Sequence, residues 1–290
     1  MKKLLIGLLI LISLISMSLI GVYIAARVSL GVDLFNTVGQ LKTLSEKVNE
    51  EKIFNKSYDL NDLEKLKEQT NASIGDVIVF ESGSGLDGYS IDYTAFSGSK
   101  TSPLFYTEEN TGALIGIMFK QINNGKLVVG KKELDAELLQ VKFDNVNNET
   151  GECDFGISIK IDLKPYKNEM DSFPFSLIRS YFPNYLYITS VVHIEKDAEG
   201  LGYNLTSKYL TINKLNAEDT KDFFHTLDVL LKIGKLDDFN LQIGNIFVDL
   251  LIGTEEEPGF IYTIQKANGS GSFGFLNMTI DEVETPLLVF

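Results

Sequence analysis

The chain has 290 residues, 40 acidic against 26 basic side chains, a formal net charge of −14, one cysteine and two histidines. That charge excludes a nucleic-acid binder held by phosphate contacts and argues against docking on anionic headgroups. A single cysteine excludes an internal disulfide framework, so apolar packing must hold any core.

The chain opens MKKLLIGLLILISLISMSLIGVYIAAR, in which Lys2 and Lys3 precede an uncharged run from Leu4 to Ala26 and Arg27 closes it. As a helix this run reaches about 34 Å, enough to cross a hydrocarbon core of roughly 30 Å. It is longer than the apolar region of a cleavable signal peptide, and Ile24 fills the −3 position of the plausible site after Ala26. No cysteine stands near its end, which excludes a lipoprotein anchor. The expectation is an uncleaved signal-anchor over 1–30, single-pass in the cell membrane. The positive-inside rule puts its N-terminus in the cytoplasm and the remaining chain outside.

Leu34, Val38, Leu41 and Val48, with Leu44 beside them, predict a helix over 31–53, and a second fits 59–70 behind Asp59 and Asn61. Residues 31–75 read as a helical stalk partly packed on the domain, because Ser45 spoils a core position of any dimerising coiled coil. Residues 76–290 read as an α+β extracytoplasmic domain. Strands are predicted at 76–81 and 88–95, and Thr107 then caps a helix with the stripe Leu114, Ile117, Met118 and Ile122.

Two long strands follow. The first carries Leu134, Ala136 and Leu138, then Leu139, Val141 and Phe143, a one-residue slip that reads as a β-bulge. The second, DFGISIKIDLKP, alternates Phe155, Ile157, Ile159, Ile161 and Leu163 with Gly156, Ser158, Lys160, Asp162 and Lys164. Burying those five apolar side chains stabilises by roughly 8–15 kcal/mol as an upper bound, so the face must be covered. Cys153 is in register with it and reads as a small buried hydrophobe.

The order then recurs. Ser172 caps a helix bearing Phe173, Leu177, Ile178, Tyr181 and Phe182, stopped by Pro183, and strands follow at 185–195 and 201–213. A third round begins at the capping-box-like Asn216, with a helix to 232, a helical pattern over Asn245–Leu251, and a hairpin of 260–267 and 273–281. Helices interleaved with strand pairs predict an α+β fold: an N-terminal transmembrane helix, then a long curved, mainly antiparallel sheet wrapped on several helices.

Chemical motifs lack their contexts. Gly83–Gly88 and Gly269–Gly274 both match G-x-G-x-x-G, but each runs into a strand pattern where a dinucleotide site needs a helix, so both read as hairpin turns. Ser97-Gly-Ser-Lys100 lacks the helix start and K-T-G strand of S-x-x-K enzymes. His193 falls on the less apolar face of its strand and His225 in a helix, neither with a second ligand at metal spacing. Glu255–Glu257 lacks calcium-loop spacing. The expectation is a protein with no enzymatic activity, no cofactor and no metal, although a carboxylate pair assembled by the fold stays open. His193 or Ser97 in a cleft beside acidic partners would signal catalysis.

The segment YTEENTGALIGIMFKQI, the paired strands after it, the block FPFSLIRSYFPNYLYITSVVHIEK and LGYNLTSKYLTINKL, and LLKIGKL form a recognisable succession. Over residues 105–285 this order resembles the YpmS-like membrane-anchored proteins of Firmicutes, relatives of the tubular lipid-binding (TULIP-like) folds. The resemblance implies a curved sheet on helices with room for an apolar ligand, and carries no catalytic residue. The leading expectation is a membrane-anchored, extracytoplasmic, non-enzymatic protein that binds a lipid or other apolar ligand. Leu114, Ile117, Met118, Phe155, Ile157, Ile159, Ile161, Leu177, Ile178 and Tyr181 are its candidate lining. The alternative is a cell-envelope interaction scaffold whose helices and strands fill each other, without a small-molecule ligand. A hydrolase acting on lipid or cell wall is a third class.

Overall fold

The computed structural model describes residues 27–28, 31, 33–95, 104–129, 132–147, 150, 152–165, 183–196, 203–231, 235–252, 263–266 and 274–278. Helix α1 (Leu34–Leu44) is shorter than the 31–53 that apolar spacing predicts. The Asn213 amide donates to the Leu44 carbonyl at 2.6 Å and the Ser45 hydroxyl to the Lys42 carbonyl at 2.7 Å. With terminal carbonyls satisfied from outside, the chain leaves the helix there. Residues 45–58 continue as a strap with one 3₁₀ turn, Glu50–Lys52.

Helix α2 (Leu60–Ile74) starts at a reciprocal capping box, in which the Asp59 and Asp62 carboxylates each accept the other's backbone N–H at 3.0 Å. It buries Leu63, Leu66, Thr70 and Ile74. Strands β1 (Ile78–Phe80) and β2 (Tyr89–Ile91) form a hairpin. β2 stops short of residue 95 because Asp92 Oδ1 accepts from the Thr94 N–H and hydroxyl, opening a 3₁₀ turn. β3 (Leu104–Tyr106) has no counterpart in the sequence pattern. Thr107 caps α3 (Glu108–Asn123), accepting the Asn110 N–H at 3.2 Å, and Asn124 in the left-handed region ends it.

The main sheet is β4 (Lys126–Val129), β5 (Lys132–Asp144), β6 (Cys153–Asp162), β7 (Tyr185–Lys196) and β8 (Tyr203–Ile212), antiparallel in chain order and curled into a partial barrel. The predicted bulge lies in β5, where Leu139 is the extra residue between Leu138 and Gln140. A second bulge places Lys208 as the extra residue of β8. Each bends and twists its strand. Beyond β8, the Asn216 side chain accepts the Asp219 N–H at 2.8 Å ahead of α4 (Ala217–Leu231). Helix α5 (Leu236–Ile252) packs with α3 on the apolar face of the sheet, Phe247 against Phe119 at 5.2 Å between ring centroids. Gly244 permits the approach: a Cβ there would sit 2.7 Å from Val192. Strands β9 (Thr263–Lys266) and β10 (Gly274–Met278) pair with each other and, through β10, with β3 in a separate three-stranded sheet, the third among the described residues.

The fold class is corrected in one respect. No helix among the described residues is long and apolar enough to cross a membrane. The longest, α5, has 17 residues and carries Asp237, Asp238 and Asp249, charges that a hydrocarbon core would strongly disfavour. The span Leu4–Ala26 lies outside the described residues, as does the expected helix from Ser172 to Phe182. The structure is an α+β domain with a curled antiparallel sheet packed on helices, and the expected transmembrane signal-anchor, membrane attachment and single-pass topology are withdrawn.

Candidate functional site

The seven described residues of the candidate apolar lining are core. Leu114, Ile117 and Met118 on α3 and Phe155, Ile157, Ile159 and Ile161 on β6 are between 0% and 5% exposed. They belong to one cluster with Phe143, Val192, Ile243, Phe247 and Leu251. Phe143 and Phe155 stack at 4.9 Å. Leu177, Ile178 and Tyr181 lie outside the described residues. The reading of a membrane-anchored lipid carrier gives way here: the faces expected to enclose a ligand fill one another, and no spanning helix is described.

The opposite face of the sheet is covered by the strap, through polar contacts. Gln140 Oε1 accepts the N–H groups of Phe54 and Lys56 at 2.9 and 3.1 Å, and its amide donates to the Glu50 carbonyl and Ser57 hydroxyl at 2.6 and 2.9 Å. The Tyr58 hydroxyl donates to the Leu138 carbonyl at 3.0 Å. Lys56 reaches α3 instead: its Nζ lies 2.7 Å from the buried Glu108 carboxylate, whose other oxygen accepts the Phe143 N–H at 2.7 Å. Burial pulls the Glu50 carboxyl up, but hydrogen bonds from Tyr187 and Lys160, and the Lys160 charge, hold it below the usual range.

His193 is on this polar face, as its register predicts, but it is not isolated. Its Nδ1 lies 2.7 Å from Asp154 Oδ1 and its Nε2 lies 3.4 Å from Glu195 Oε1. Asn145 donates to Asp154 Oδ2 at 2.6 Å, and Lys208 Nζ is 3.6 Å from Oδ1. Burial raises the Asp154 carboxyl, while the Asn145 and His193 hydrogen bonds and the Lys208 and His193 charges outweigh it and hold it below the usual carboxylate range. Sequence spacing missed the pair because only the β6–β7 register sets Asp154 opposite His193. The ring is oriented between the two carboxylates. Its Nε2 is turned toward Glu195. Among the described residues no group of three or more His, Cys, Asp and Glu side chains is placed to hold a metal. Ser97 lies outside them. Cys153 is buried, and burial followed by the Asp154 charge pushes its thiol far up, which suits the expected inert hydrophobe.

Clefts open elsewhere. One of about 470 Å³ lies on the polar face between Phe54 of the strap and Tyr187, Val191 and Tyr209. Two others adjoin between α2, the β1–β2 turn and α3. The larger, about 660 Å³, is walled by Tyr58, Leu63, Leu86, Phe119 and Leu138; the smaller, about 480 Å³, by Glu64, Glu68, Phe80 and Tyr89. Leu60, Ser84 and Gly85 belong to both. None of the three has any of the seven described lining candidates in its wall.

The shared wall is the segment GSGLDG, the hairpin turn that its G-x-G-x-x-G pattern predicts. Gly85 has φ +60°, which favours glycine, and a Cβ on Gly88 would lie 2.3 Å from the Phe80 ring, so the ring's seat there depends on glycine. On α3, a Cβ at Gly116 would meet Leu86 at 3.0 Å and the Tyr58 hydroxyl at 3.1 Å, which is why both side chains reach the cleft floor.

Comparison of the chain with protein-family models, curated proteins and solved structures returned no match.

Proposed function

We propose that this protein is an interaction scaffold: a packed α+β domain that presents its surface to partners and holds no small-molecule ligand in its core. One observation carries the reading. The apolar faces of α3 and β6, the best-patterned candidates for a ligand cavity, are buried against each other and against α5. A carrier must keep such faces apart around its cargo. The domain works without catalysis in this reading, and the polar cluster at His193 serves to join β6, β7 and β8. The order of elements that resembles the YpmS-like proteins stands as a proposal of relationship, without the apolar ligand that the resemblance implied.

The test is native mass spectrometry of the purified full chain, with mass analysis of its organic extract. The expected result is the bare chain mass and no stoichiometric lipid. A lipid recovered at one per chain overturns the scaffold reading.

A further inference from the structure

We propose that the double cleft between α2, the β1–β2 turn and α3 docks a basic amphipathic segment of a partner protein, one carrying two apolar anchors among lysines or arginines. The inference rests on the scaffold reading and names the surface that serves it.

The floor is apolar and accessible. Leu60 and Phe80 are 59% and 45% exposed, among the most exposed large apolar side chains described, and both line this trough. Phe80 is held in place, its ring over Gly88 and 4.9 Å from that of Tyr89. An exposed apolar surface of this kind, shaped by glycines and rimmed by polar groups, is how a docking site differs from scattered surface leucines. Two pits separated by the Leu60–Gly85 saddle accommodate two anchors better than one continuous chain.

The rim fixes the sign of the partner. Asp59, Asp87 and Glu137 border one pit, Glu64 and Glu68 the other, against Lys120 and Lys67. Lys120 is already paired with Asp87. Lys120 in the last turn of α3, and Gly125 just past its end, close the larger pit. The positive end of α2 is already answered by its Asp59–Asp62 box. A second copy of this chain, with a net charge of −14, meets repulsion here, as does an anionic lipid surface. A cationic amphipathic segment gains at both floor and rim.

The test uses the full chain and a fluorescein-labelled peptide, KLKKLLKKLKKL, with one control replacing its lysines by glutamates and another its leucines by serines. Fluorescence polarisation should show saturable binding of the first peptide alone. Phe80→Ser and Leu60→Ser should each weaken it by about tenfold. The pair Glu64→Lys and Glu68→Lys should weaken it by about as much and flatten its salt dependence. All four positions are exposed, so these variants keep the fold. Reversing two exposed acidic residues on α4, Glu218→Lys and Asp222→Lys, should leave affinity within about twofold.

Equal loss from the α4 reversal, or equal binding of the serine peptide, would mean diffuse charge attraction and would overturn the docking site. So would a dimer in sedimentation that Phe80→Ser dissolves, since the occupant would then be a second copy. Those failures leave the scaffold reading standing. A stoichiometric lipid in the extract removes that reading and leaves the measured peptide affinities as they are.

Discussion

Phe155 and Gly156 are neighbours on β6 and face opposite sides of one sheet. Phe155 is fully buried, stacked on Phe143 and enclosed by α3 and α5. At Gly156 the space of a side chain is taken by the Phe54 ring of the strap, 3.0 Å from where a Cβ would lie. The first side is closed by apolar area, which is non-directional and tolerates many arrangements of the same residues. The second is closed by individually aimed hydrogen bonds and ion pairs from Gln140, Glu50 and Lys160. Directional contacts close only the spots they reach, so this side keeps a groove and the half-buried His193 cluster. Each bulge is pinned by an amide, one from either side of the sheet. At Leu139 the adjacent Gln140 amide fastens the strap, and beside Lys208 the buried Asn240 amide of α5 donates to the carbonyls of Val191 and Tyr209.

Four substitutions test the contrast. Phe155→Ala should cost about 4 kcal/mol in urea denaturation, the largest effect, because the close-packed neighbours collapse only partly into the space. A cost under about 1 kcal/mol would mean the apolar face is loosely filled. Lys56→Ala should cost about 3 kcal/mol, since Glu108 is left buried without its cation. Adding Glu108→Gln should restore part of that loss, and no restoration would argue against the ion pair as the cause. Gln140→Ala should cost about 2 kcal/mol by leaving strap N–H groups unsatisfied. Limited proteolysis should then cut first within 45–58, whereas cleavage elsewhere would break the assignment of Gln140 as the fastener.

The smallest effect is at the polar cluster. The Asp154 carboxyl is held below its unfolded value of about 3.9. Its contribution is therefore complete above that pH and is lost as pH falls through the lower folded value. Asp154→Asn should reduce stability by under about 1 kcal/mol near neutral pH, given partial solvent screening. The gap between variant and parent should narrow as pH falls below the unfolded value of about 3.9 and through the lower folded value. A gap that widens there would reverse the sign.

Much of the local structure was legible in the residues. The alternation of DFGISIKIDLKP, the slip at Leu139, the Thr107 cap and the hairpin turn at Gly83–Gly88 each depend on neighbours a few positions apart. Helix α1 was overextended because the interaction that ends it comes from Asn213, far along the chain. β3 went unseen because three residues carry no period, and its partner β10 is remote. Of the site, the seven described apolar candidates lie on a covered face, but their pattern is the same whether a ligand or a helix covers it.

The sequence by itself determined which faces are apolar and where elements start and stop, because period and capping are properties of short segments. Only the tertiary structure decided what lies against each face. That choice joins Gln140 to Phe54, Asp154 to His193, and Leu60 to the turn at Gly85. Such contacts follow from strand register and helix placement, which no run of a few residues encodes.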